Sequence, residues 1–110
     1  MERGKRKRLE KAGWRAGTAA EFLELSEVEE ALVDMKLLLG TRLRKTREQH
    51  KLTQTDLAIR MGSSQSRVAK MEAGDPGVSL DLLMQGLLAA GATRREIASA
   101  LASRKKAASA

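Results

Sequence analysis

Gln65, Ser66, Ala69 and Lys70 stand at i, i+1, i+4 and i+5, a spacing that gathers them on one face of a helix. Arg67 falls to one side of that face. The chemistry open to such a set is hydrogen bonding to a flat edge patterned with donors and acceptors. The base edges of a DNA major groove are such a target, and an α-helix fits that groove. A glutamine amide matches adenine with one donor and one acceptor. Lysine or arginine donates to the two acceptors of guanine, and a small apolar group meets a thymine methyl. A good bidentate pair gives about 1–3 kcal/mol of discrimination. Catalytic chemistry fits poorly. The chain has no Cys and one His, His50, with no Gly-rich phosphate loop and no paired carboxylates beside a nucleophile. It is expected not to be an enzyme and to need no cofactor or metal.

Two short helices around a tight turn must position this face. Thr53 is placed to cap a helix over Gln54–Met61, and Gly62 to end it in a left-handed turn. Ser64 is placed to cap a second helix over Gln65–Glu72. Leu57 and Ala58 in the first and Val68 and Met71 in the second recur at helical spacing and should pack together. Ala58 is small where the helices should cross. The N–H groups at both helix starts, with Thr53, Gln54, Ser63 and Ser64, can hold DNA phosphates.

The rest of the chain reads as helix as well. Its 110 residues are rich in Ala, Leu, Met, Lys, Arg and Glu, with one Trp, one Phe, no Tyr and one Pro. These are strong helix formers, and strand signals are nearly absent. Thr18 with Glu21, and Ser26 with Glu29, have capping-box spacing. They predict a short helix over Ala19–Glu24 and a long one from about Glu27 to Gln49. The long helix carries the apolar stripe Val28, Leu32, Met35, Leu39 and Leu43, and Gly40 is a point where it could kink. After the loop Gly74-Asp75-Pro76-Gly77, Ser79 opens a helix with Leu80, Leu82, Leu83, Leu87 and Leu88, stopped by Gly91. Thr93 and Glu96 open a last one with Ile97, Ala100 and Leu101.

The net charge of +7 is uneven. Residues 1–17 carry seven basic and two acidic side chains, residues 18–34 six acidic and none basic, and residues 35–110 fourteen basic and six acidic. A basic domain is the electrostatic footprint of a nucleic-acid binder, and the acidic block suggests a second kind of partner. The expected organisation is a basic, flexible tail over 1–17, in which Trp14 is expected to dock on its own domain or on a partner, and an acidic helical extension over 18–34. A helix-turn-helix domain follows over 35–103, with a frayed basic tail over 104–110. No apolar stretch suits a membrane span and the basic start lacks the apolar core of a secretory signal, so a cytoplasmic location is expected.

Leu52-Thr53-Gln54, Leu57-Ala58, Gly62, Ser64-Gln65-Ser66, Val68 and Glu72 with Gly74 resemble the phage-repressor, or XRE-type, helix-turn-helix family over roughly residues 36–101. The resemblance implies an all-α, compact five-helix, lambda-repressor-like domain, here with an N-terminal helical extension. It implies that Gln65, Ser66 and Lys70 face bases, that Gln54 and Ser64 contact phosphate, and that Arg47 pairs with Glu72. Ala69 and Arg67 join the base-facing set from their placement on the helix, as Thr53 and Ser63 join the phosphate set. In several phage repressors the loop after this helix is basic, whereas here it carries Asp75, so contacts from that loop are not carried over.

Phe22-Leu23-Glu24-Leu25-Ser26, followed by an acidic helix and Ser64 to Pro76, is similar to small antitoxins of the HigA type. That likeness implies a homodimer that binds a palindromic operator in double-stranded DNA, represses its own operon and neutralises a cognate toxin. The alternative is a protein-interaction module whose acidic segment binds the toxin, with DNA binding secondary. Leu83, Leu87, Leu88, the last helix and the N-terminal segment are candidate dimer surfaces.

Overall fold

The computed structural model describes residues 19–103, with side chains from Ser26 onward. Trp14 and the rest of the basic tail over 1–17, Thr18 of the first capping box and the basic tail over 104–110 lie outside the described residues. Among the described residues five helices follow one another: α1 (Ala19–Gln49), α2 (Gln54–Met61), α3 (Gln65–Glu72), α4 (Leu80–Ala90) and α5 (Arg94–Ala102). No strand occurs among the described residues. The fold is all-α, as the composition requires.

The start of the chain differs from expectation. Ala19–Gln49 is one helix of 31 residues, with no break before Glu27. Ser26 lies inside it and caps nothing. A Ser-x-x-Glu pattern terminates a helix only where the chain bends, and no Gly or Pro between Ala19 and Glu27 makes it bend. The helix also continues through Gly40. Among the described residues, those up to Ala31 fall in one unit and those from Leu32 on in another.

In the first unit, the described side chains from Ser26 to Ala31 are all exposed. In the second, Leu39, Leu43, Leu57, Val68, Met71, Leu83 and Leu87 are fully buried in one core. The apolar stripe of α1 is therefore buried only from Leu39 on; Val28, Leu32 and Met35 are 55%, 40% and 37% exposed. Periodicity identifies a face of a helix, not how far along its axis a partner extends. Leu83 and Leu87, candidates for a dimer surface, belong to the core, whereas Leu88 is 57% exposed.

Caps set the helix boundaries. The Thr53 side chain accepts from the Asp56 N–H, and the Asp56 carboxylate accepts from the Thr53 N–H. Gly62 closes α2 in the left-handed region at φ 67°. Ser64 and Ser79 cap α3 and α4, and Thr93 with Glu96 forms a second reciprocal box on α5. Two long-range bonds fasten the elements to one another. Arg60 on α2 donates to the Ala89 carbonyl at the end of α4, 2.9 Å away. Lys36 on α1 donates to the Pro76 carbonyl in the loop after α3, 2.8 Å away.

Candidate nucleic-acid interface

Leu57 and Ala58 of α2 and Val68 and Met71 of α3 are buried in the shared core. Burial of those positions leaves the opposite side of α3 outward. Gln65, Ser66, Arg67 and Lys70 are exposed there, and Ala69 is half-buried. The outer face thus carries an amide, a hydroxyl, a methyl and an ammonium, with a guanidinium beside them.

The flanking residues are less uniform. Ser64 and Thr53 are exposed, and Gln54 and Ser63 are half-buried. The Ser63 N–H donates to the Ala58 carbonyl at 2.8 Å, so only its side chain is available to a phosphate. The Thr53 N–H is taken by Asp56, and the same carboxylate puts negative charge at the first turn of α2. The capping-box pattern has Glu or Gln at its third position, and here a shorter Asp closes it. Thr53 holds the Asp56 carboxyl below the ordinary carboxylate range, first through its N–H and then through its side chain, with the Arg60 charge adding to the effect.

Behind the face lies a polar brace. Arg47 on α1 is 9% exposed. Its Nε donates to Glu72 Oε2, its second terminal nitrogen to Glu72 Oε1 at 3.1 Å, and its first to the Leu52 carbonyl at 2.7 Å. Glu72 raises the guanidinium pKa further, chiefly through the hydrogen bond. A fork-to-fork pair of this kind fixes geometry as well as charge. It ties the end of α3 to α1 and to the residue before Thr53.

Gln54 connects the brace to the outer face. Its Nε2 donates to Glu72 Oε1 at 3.0 Å, and its Oε1 accepts from Gln65 Nε2 at 2.6 Å. Gln54, expected from the sequence only as a phosphate contact, thus also joins α2 to both ends of α3. The link to Glu72 was not legible from spacing, since eighteen residues separate the two.

Beside α3, an open hollow of about 470 Å³ is lined by Ser64, Ser66, Arg67, Lys70 and Asp75, together with the start of α4. Asp75 Oδ1 accepts from the Gly77 N–H at 2.7 Å, so the loop's acidic group is folded onto its own backbone.

Among the described residues, no helix is long and apolar enough to cross a membrane and no group of acidic or His side chains could hold a metal. A family model described as a helix-turn-helix domain matches residues 38–100, more than half of the chain. No curated protein and no solved structure matches it.

Proposed function

We propose that this chain, which belongs to the helix-turn-helix domain family, is a sequence-specific transcriptional repressor that reads its operator with α3. The observation that carries this reading is the outward set Gln65, Ser66, Ala69 and Lys70 on a helix whose other side is locked into the core. Gln65 and Lys70 read base edges, with Ser66, Ala69 and Arg67 beside them. Gln54 holds phosphate through its backbone N–H at the first turn of α2, and Ser64 through its side chain, joined by the side chains of Thr53 and Ser63. The protein acts as a homodimer on a palindromic site, its two α3 helices about 34 Å apart, one turn of DNA. Leu88 and α5 form the face for the second copy.

Binding of Gln65→Ala and Lys70→Ala to the operator and to random duplex tests this. Operator affinity is expected to fall about tenfold or more for each, with random binding nearly unchanged for Gln65→Ala. Equal loss on both duplexes for both variants would remove the base-reading role.

A second reading extends the first. Val28 is 55% exposed, amid exposed Glu27 and Glu30. An apolar residue ringed by carboxylates suits a basic protein partner. In this reading the chain is a HigA-type antitoxin, and its acidic segment neutralises the toxin encoded beside it. Co-purification with the product of the adjacent reading frame, lost in a Glu27→Lys/Glu30→Lys variant, is the expected result. An intact complex in that variant would exclude the segment as the contact.

A further inference from the structure

Four side chains form one hydrogen-bonded line from the interior to the outer face of α3. Arg47 donates to Glu72, Gln54 Nε2 donates to Glu72 Oε1 at 3.0 Å, and Gln65 Nε2 donates to Gln54 Oε1 at 2.6 Å. The direction of each bond is set at the inner end. The Glu72 carboxylate, paired with a guanidinium, offers only acceptors. Gln54 must turn its NH2 group to it, which leaves its oxygen facing outward. Gln65 must then give an N–H to that oxygen. The two ends of a glutamine amide are nearly the same size, so shape alone does not choose between them.

Building on the reading of α3 as a base-reading helix, we propose that Glu72 is a specificity-determining positioning residue. Through Gln54 it makes Gln65 present one N–H and its Oε1 to a base, the pattern of adenine rather than guanine. With the line reversed, Gln65 would accept from Gln54 through Oε1 and keep both N–H groups outward. Two donors suit the O6 and N7 acceptors of guanine. Glu72 itself has a side chain only 5% exposed, so its effect on base choice passes through the two amides. A pre-set amide also loses less rotamer freedom on binding.

The test uses the full chain and three variants: Arg47→Met/Glu72→Met, Gln54→Leu and Gln65→Ala. The double variant replaces a buried ion pair by apolar side chains, a change that proteins commonly tolerate; thermal unfolding checks that it folds. Gln54→Leu leaves the ion pair in place and cuts the line in the middle. Base preference is read by selection from a randomised duplex library, and affinity for random DNA is measured separately.

The wild type is expected to prefer adenine at one position of each half-site, and Gln65→Ala to lose that preference. The double variant is expected to keep its affinity for random DNA, while adenine-over-guanine preference at that position falls about tenfold. Gln54→Leu should flatten the same position. If both retain the wild-type ratio while Gln65→Ala abolishes it, the role of Glu72 is overturned and base reading by Gln65 stands. If Gln65→Ala leaves the ratio intact, base reading by Gln65 fails and this proposal with it. A second measurement needs no DNA: NMR relaxation of the Gln65 side-chain amide should show it loosened in the double variant, and unchanged order would overturn the proposal.

Discussion

A Cβ on Gly40 would stand 2.6 Å from the Met71 carbonyl oxygen and 2.9 Å from that of Glu72. The middle of α1 and the end of α3 therefore meet backbone against backbone. By helix propensity alone, Gly40→Ala should stabilise by about 1 kcal/mol. Here the methyl would push on carbonyls that cannot rotate away, and overpacking of that kind costs about 1–3 kcal/mol. The expected outcome is a lower unfolding midpoint. Weakened operator binding should accompany it, because the displaced turn carries Glu72. Denaturant titration and duplex binding on the same preparation check both.

Glu72→Ala should be the most damaging single change near the interface. It strands the Arg47 guanidinium in a site where that residue is 9% exposed, at a cost of about 3–5 kcal/mol. That is a large share of an ordinary domain's stability. Urea unfolding measures it, and Arg47→Met/Glu72→Met should recover most of the loss, since neither charge then lies buried alone.

Gly62 tests conformation without packing. Its φ is +67°, and a Cβ there would meet nothing within 4 Å. Gly62→Ala should then cost only the left-handed penalty, about 1–2 kcal/mol. A crystal or NMR structure of the variant should show the same turn between α2 and α3. A loss well above that range would mean that the turn itself had rearranged.

The start of α2 should be acid-sensitive. The Asp56 carboxyl is held below the ordinary range by Thr53 and Arg60. A depressed folded-state pKa contributes stability that is fully present above the unfolded value, about 3.9. It is lost as pH falls through the folded value. Melting temperature should thus decline below about pH 4 more steeply in the wild type than in Asp56→Asn. A carboxyl NMR titration should place the Asp56 midpoint below that of a free aspartate.

The helices from Gln54 onward were legible because their signals are local. Thr53, Ser64, Ser79 and Thr93 stand one residue before α2, α3, α4 and α5, and Gly62 and Gly91 stand just after α2 and α4. The outward face of α3 followed from the same spacing. What was not legible depends on distance in space. A Ser-x-x-Glu pattern looks alike at a helix start and inside a helix, so α1 was divided at Ser26. The stripe of α1 gave a direction but no length, so Val28, Leu32 and Met35 were expected to be covered. Gly40 looked like a weak point because its neighbour, the Met71 carbonyl, is thirty-one residues away. The Gln65–Gln54–Glu72 line depends on side-chain rotamers on two helices, and no periodicity records that.

The two long-range ties on α1 are nested in the chain. Lys36 to Pro76 encloses Arg47 to Glu72, and the whole of α2 and α3 lies inside both. A helix of eight residues is too short to persist alone in water. α3 therefore has no independent existence as a folding unit. A peptide spanning α2 and α3 would be largely coil, and amides of α3 in the intact protein should exchange with solvent only in openings that also release α1. Local melting of α3 would therefore also break the bond that holds its end to the long helix α1.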